Sequence, residues 1–203
     1  MKVLIVSDIH ADADALDRII VKERNWDVFI VAGDIVGYGH EPNEVIETLK
    51  GLENVVAVMG NHDYAVLTGW TDMFRPEAAE VIRWTAEMIR GENRAWLKGL
   101  PVRVDVPVGG KTITVVHGSP EIPLWGYVFP WEDKNNLRRY LKNSGDFLVV
   151  GHTHIPFTFE WETKKHGKKV LINAGSPSFP RGGTRPTYVV IETKDWKVKF
   201  KEF

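Results

Sequence analysis

Phe147 to His154 reads FLVVGHTH. Four apolar residues run into Gly151, and two histidines follow, two positions apart. A short apolar run bounded by glycine is the mark of a buried strand. Residues two apart in an extended chain point the same way, so His152 and His154 are expected on one side of a strand end. Two imidazoles held that close are costly unless something lies between them, and a divalent cation is the usual occupant. Standing alone, the pair would read as two exposed loop histidines.

The same grammar recurs along the chain. VLIV leads into Ser7-Asp8-Ile9-His10, VFIVA into Gly33-Asp34, and VVAVM into Gly60-Asn61-His62-Asp63. ITVV leads into His117-Gly118-Ser119, and VLI into Asn173-Ala174-Gly175-Ser176. In open α/β sheets ligands bind just beyond the carboxyl ends of the strands. All six strand ends are therefore expected to converge on one site.

The elements between them set the fold class. Residues 2 to 7 read as a central strand, and Asp12 or Asp14 caps a helix over Ala13–Arg24. Asp27–Val36 is a second strand, followed by a tight loop with Gly33, Gly37 and Gly39. Pro42 suits the first turn of a helix to Lys50, and Val55–Met59 is a third strand. This β-α-β-α-β order implies parallel strands with right-handed crossovers. A helix over Pro76–Arg90 ends at Gly91, with Ala79, Ile82, Trp84, Ala86 and Ile89 facing inward; Glu92–Leu97 forms a short one.

The second half reads as hairpins. Val102–Val108 and Lys111–Val116 flank Gly109-Gly110, a two-residue turn. Phe157–Thr163 pairs with Lys168–Ile172, and Tyr188–Ile191 with Trp196–Phe200. An aromatic loop from Pro120 to Trp131 precedes a helix over Glu132–Lys142. Two mixed sheets packed face to face, with helices outside, accommodate both halves as one α/β domain over residues 1–203.

Composition narrows the function. A net charge of -1 leaves no basic excess for extended nucleic acid or an anionic membrane. The absence of cysteine excludes disulfides, thiolate metal sites and a cysteine nucleophile. No apolar run approaches the roughly 20 residues that span a bilayer, and the amino terminus lacks a signal peptide's layout. The expectation is a soluble, cytoplasmic protein.

Asp8-x-His10, Gly33-Asp34, Gly60-Asn61-His62-Asp63, His117-Gly118 and Gly151-His152-Thr153-His154 together resemble the five motifs of the calcineurin-like metallophosphoesterases, in the same order. The similarity extends to GDIVGYG and NAGS, covers nearly the whole chain, and is closest to the small single-domain phosphodiesterases of that superfamily. It implies a four-layer α/β/β/α sandwich and two divalent metal ions. Asp8, His10, Asp34 and His154 would hold one ion; Asp34, Asn61, His117 and His152 the other. Asp34 has two oxygens with which to bridge them. Nitrogen and oxygen ligands without sulfur suit manganese, the expected metal, and also iron, nickel, cobalt or zinc.

The implied reaction is in-line attack on phosphorus by a metal-bridging hydroxide, with His62 assisting the leaving group. The substrate would be a small phosphoester, a nucleotide among the candidates. Phosphomonoesterase or nucleotidase activity is the neighbouring alternative. A metal-bound scaffold for protein partners, like the retromer subunit of this fold, is the alternative of another class. In the related protein phosphatases an aspartate orienting the histidine and a phosphate-binding arginine stand where this chain has Gly37 and Tyr38. Ala11 and Asp12 likewise replace the glycine-asparagine that often follows the first motif. Arg181 is a candidate phosphate contact as well as an ordinary surface arginine. Trp125, Tyr127, Phe129 and Trp131 suit core packing, a homo-oligomer contact, or the lining of a nucleobase pocket. His40 and His166 read as surface residues.

Overall fold

The computed structural model of the chain describes residues 1–164 and 167–202, so His166 lies outside the described residues. In chain order the elements are β1 (Lys2–Val6), α1 (Ala13–Lys22), β2 (Val28–Val31), α2 (Pro42–Gly51), β3 (Val55–Ala57), α3 (Asn61–Thr68), α4 (Pro76–Met88) and α5 (Gly91–Lys98). Then follow β4 (Arg103–Val108), β5 (Lys111–Val116), α6 (Lys134–Lys142), β6 (Phe147–Val150), β7 (Phe157–Thr163), β8 (Gly167–Asn173), β9 (Thr187–Glu192) and β10 (Lys197–Glu202).

The strands form two five-stranded sheets, ordered β10-β9-β1-β2-β3 and β4-β5-β6-β8-β7. In the first, β1 pairs in parallel with β2 and β2 with β3, while β9 and β10 run antiparallel. In the second, β5, β6 and β8 are parallel, and β4 and β7 are the antiparallel edges. Each sheet thus has three adjacent parallel strands, and the ligand-type residues follow these strands.

Alternating side chains explain the layering. Val3 and Ile5 of β1 point into a core shared with Ile113, Val115, Phe147 and Val149 of the other sheet. Leu4 and Val6 point the other way, against Leu16, Ile19, Val45 and Ile46 of α1 and α2. On the far side, Leu148, Val150 and Leu171 pack on Leu137, Tyr140 and Leu141 of α6. The order is helices, sheet, sheet, helix, the expected four-layer sandwich. Asp12 caps α1, its carboxylate accepting the Ala15 N–H at 2.9 Å. Gly109 and Gly110 turn the β4–β5 hairpin at φ 52° and 82°, values a two-residue turn of this kind requires.

Two expectations are corrected, and one helix lies where the sequence assigned no element. The strand read over Asp27–Val36 stops at Val31, because Ala32–Val36 peels away into the loop that carries Asp34. The segment after Gly60 is a helix, α3, whose first turn carries Asn61 and His62. Gly91 opens α5 besides following α4. Among the described residues no helix is long and apolar enough to cross a membrane.

Phe29, with no exposed surface, joins β2 to the α1–α2 layer. Phe29→Ala is expected to lower unfolding free energy by about 3–5 kcal/mol. Urea denaturation measures this, and a loss under 1 kcal/mol would show that the layer collapses freely around the gap.

Candidate metal centre

Five strand ends deliver the candidate ligands to one place. Asp8 and His10 follow β1, Asp34 follows β2, Asn61 and His62 open α3 after β3, His117 follows β5, and His152 and His154 follow β6. All eight side chains are buried. The sixth strand end, after β8, supplies support: Ser176 Oγ donates to the Asp8 carbonyl at 2.7 Å, and Asn173 Nδ2 to the Gly151 carbonyl at 2.8 Å. The loops are stitched across both sheets. The Asp8 N–H donates to the Gly33 carbonyl, the Gly151 N–H to the His117 carbonyl, and the His152 N–H to the Asp8 carboxylate.

The backbone there is strained. Asp8, His10, Asp34, His152 and His154 have φ of 57°, 52°, 51°, 67° and 58°. Left-handed backbone costs a residue with a Cβ roughly 1–2 kcal/mol, and it persists where surroundings over-determine it. Ala11, next to His10, shares this backbone at 55°, so five of the six strained residues in these loops are of ligand type, as in a site held in place by its neighbours.

Two groups have donor atoms within 4.8 Å of one another: Asp8, His10, Asp34 and His154, and then Asp34, His117 and His152. Asn61 adjoins the second, its Oδ1 2.9 Å from His117 Nε2. Asp34 belongs to both. Its Oδ1 accepts the His62 N–H at 2.9 Å. Its Oδ2 lies 3.6 Å from His10 Nε2 and 3.3 Å from His117 Nε2. The single oxygen Oδ2 faces both groups.

These donors fit a pair of divalent ions. His10, His117 and His154 each turn Nδ1 to a backbone carbonyl: Val36 at 3.3 Å, Ala32 at 2.8 Å and Phe179 at 2.6 Å. Nδ1–H donation to these carbonyls leaves the Nε2 lone pairs for a ligand. His10 Nε2 and His154 Nε2 then face each other at 3.1 Å. Two lone pairs so placed repel unless a cation lies beside them. The buried His152 Nε2 has no hydrogen-bond partner among the described residues, as expected of a nitrogen reserved for a metal.

Residues 1–196 match the family described as the calcineurin-like phosphoesterase superfamily domain. The chain belongs to this superfamily. A protein of Methanocaldococcus jannaschii, MJ0912, is 36% identical over 97% of this chain and 85% of its own. The phosphodiesterase YfcE of Escherichia coli is 23% identical over 95% of this chain and 88% of its own. The crystal structure of a metallophosphoesterase from Sphaerobacter thermophilus superposes with a TM-score of 0.81, at 30% identity, over 98% of this chain and 86% of that one.

Electrostatics in the phosphoesterase site follow from burial and charge. Burial pushes the His10 imidazole well below its ordinary range. Burial, with His117 nearby, takes His152 down to about 3, so both rings are neutral and ready to ligate. His117 goes the other way, up to about 9: burial pulls it down, but the Asp34 carboxylate, Asp8 and the Ala32 carbonyl together raise it more. Burial and then the Asp34 charge push Asp63 up to about 7, although it accepts the Val36 and Gly60 N–H groups. Asp63 therefore ties the Asp34 loop to the start of α3. Sequence reasoning assigned it no role; its place three residues after Gly60, at the third position of α3, was the available signal.

The remaining residues divide cleanly. His62 lies beside the ligand groups, its ring 4.7 Å from those of His10 and Tyr38 and 4.8 Å from Phe74. Its Nδ1 has no hydrogen-bond partner among the described residues, so aromatic packing orients it. A Cβ at Gly37 would sit 2.5 Å from His10 Nδ1 and 2.7 Å from His62 Nδ1, which explains glycine at that position. Arg181 reaches the site's mouth, Nη2 donating to the Tyr38 hydroxyl at 3.1 Å. Trp125 and Tyr127 line the pocket above the ligands, whereas Phe129 and Trp131 stack outward beyond Tyr127. His40 is a surface residue against Trp84, 5.1 Å between rings.

Metal uptake is expected to release a proton from His117. Its charged form favours the metal-free fold fully below the ordinary value of 6.5, and that contribution disappears as pH rises through about 9. Affinity for manganese should rise up to about tenfold per pH unit between 7 and 9 and then flatten. Calorimetry in buffers of different ionisation enthalpy measures the proton; uptake without proton release would contradict the His117–Asp34 pairing. Gly37→Ala should displace both neighbouring imidazoles and cut activity at least tenfold in a steady-state assay with the protein still folded by circular dichroism; undiminished turnover would show that the rings relax around a methyl group.

Proposed function

We propose that the protein is a phosphodiesterase working with two divalent metal ions. Asp8, His10, Asp34 and His154 would hold the first ion, and Asp34, Asn61, His117 and His152 the second. The observation that carries this reading is Asp34 Oδ2, within 3.6 Å of the Nε2 atoms of both His10 and His117. When bound, the two ions would polarise a phosphoryl oxygen and supply water of lowered pKa as nucleophile. The nitrogen-and-oxygen donor set favours manganese, with iron, nickel, cobalt and zinc compatible.

The chain's own residues do the rest. Asn61 orients a non-bridging oxygen beside the ligand groups. Burial keeps His62 below its ordinary pKa in the free protein. The negative charge of an arriving phosphodiester raises its affinity for a proton, which it then passes to the leaving oxygen. Arg181, held by Tyr38 at the pocket's lining, is within reach to contact the phosphate. Charged residues lining the pocket outside the ligand groups are Arg75, Arg181 and Glu77. That modest net positive charge matches a singly charged diester better than a doubly charged monoester. The distant relationship to a named phosphodiesterase, YfcE, leans the same way. A cytoplasmic location is proposed on the absence of cysteine.

The manganese-loaded protein should hydrolyse bis(4-nitrophenyl) phosphate with higher kcat/KM than 4-nitrophenyl phosphate, and chelation should abolish both. His62→Ala should lower kcat by roughly 10²–10⁴-fold with metal content unchanged. Turnover that survives chelation or His62→Ala would reject the mechanism, and a monoester preference would make the protein a phosphatase.

A further inference from the structure

The ligand groups open into a pocket of about 710 Å³. That lies within the roughly 300–1,000 Å³ range of sites for whole small molecules and exceeds what a phosphate group fills. Asp34, Asn61, His152 and His154 form part of its lining, so the remainder of the pocket has room for an ester arm of a phosphate bound there. The remainder is aromatic. Four separate loops contribute rings: Tyr38 after β2, Phe74 between α3 and α4, Trp125 and Tyr127 after β5, and Phe179 after β8.

The rings are pre-positioned. The Trp125 indole is met nearly edge-on by Trp70 at 4.9 Å, Phe74 at 5.7 Å and Tyr64 at 6.3 Å, which fixes its plane. Opposite, Tyr38 packs on Phe179 at 5.3 Å. Much of this surface remains open to solvent: Tyr127 is 52%, Trp70 38% and Phe179 36% exposed. Open aromatic surface gathered at one mouth marks a binding surface for an apolar or planar group. The rings of Tyr38, Phe74, Trp125, Tyr127 and Phe179 all line this pocket beside the ligand groups, and an aromatic ring stacks on any base.

We infer that the ester arm is a planar, nucleobase-type ring, stacked on Trp125 in this pocket, so that the substrate is a nucleotide diester. The inference rests on the phosphodiesterase reading above. Near-neutral overall charge and two pocket arginines suit one nucleotide better than a polymer.

The test separates the two readings. First, kcat/KM of the manganese-loaded protein is compared for the methyl diesters of adenosine 5′-phosphate and of ribose 5-phosphate, which share a leaving group. The base-bearing diester should be favoured by about tenfold or more, mainly through KM, in line with one base stacking. Trp125→Ala should bring the two substrates level, and Trp125→Phe should restore most of the difference. Equal kcat/KM in the wild type overturns the inference and leaves the phosphodiesterase reading intact.

Second, calorimetric binding of adenosine 5′-phosphate, ribose 5-phosphate and hexyl phosphate to the manganese-loaded protein decides the pocket even if no diester is turned over. Adenosine 5′-phosphate should bind about tenfold or more tighter than either competitor. Equal binding, or a preference for hexyl phosphate, overturns the inference and identifies a generic apolar pocket. If Trp125→Ala fails to fold, Tyr127→Ala, a half-exposed position, takes its place, with partial loss of the preference expected; an unchanged preference overturns stacking in this pocket.

Discussion

The Asp34 carboxylate stands where the two halves of the site meet. One oxygen is occupied by the His62 backbone N–H, and the other faces His10 from the first half and His117 from the second. Around it lie Asp8, three further imidazoles and an amide, all withdrawn from water. Burying carboxylates costs several kcal/mol each unless positive charge accompanies them. In the metal-free protein part of that charge is the proton on His117, which Asp34 holds to about pH 9. The arrangement still leaves the His10 and His154 nitrogens facing each other and the His152 nitrogen unpartnered. Divalent cations would relieve these conflicts together.

Holding such a site requires a stiff surround. The left-handed residues at the strand ends would relax if their loops were free. They are not free, because each loop is bonded to a neighbour: Ser176 and His152 to Asp8, Gly151 to His117, Gly60 and Val36 to Asp63. Glycines let the strand ends approach. A Cβ at Gly60 would run into Asp34, as one at Gly37 would run into His10 and His62. The two sheets supply the platform, packed on a shared core that includes Val3, Ile5, Val115 and Val149.

Much of this was legible in the sequence. Short continuous apolar runs leading into aspartate, histidine or asparagine located each strand end, and the order of these motifs carried the family resemblance. The four-layer sandwich followed from parallel runs in the first half and hairpins in the second. The misses have physical causes. Asp27–Val36 reads as one strand because Ile35 and Val36 are apolar, but they are buried as loop residues under the site. Helix α3 was hidden because its buried residues include Asn61, His62 and Asp63, which break the apolar period. What orients His62 was also out of reach: the answer is rings from Tyr38, Phe74 and His10, brought together only by folding.

The same packing joins the candidate site to the pocket beside it. Tyr38 touches His62, pairs with Arg181 and forms one wall of the aromatic pocket, so reactive centre and pocket share side chains. All of it presumes two cations meeting at one carboxylate. Electron paramagnetic resonance of the manganese-loaded protein, calibrated by metal content, tests that most directly. Two manganese ions per chain with an exchange-coupled spectrum that Asp34→Asn uncouples are expected; a single ion per chain, or two with independent mononuclear signals, would rule out a shared carboxylate between two cations.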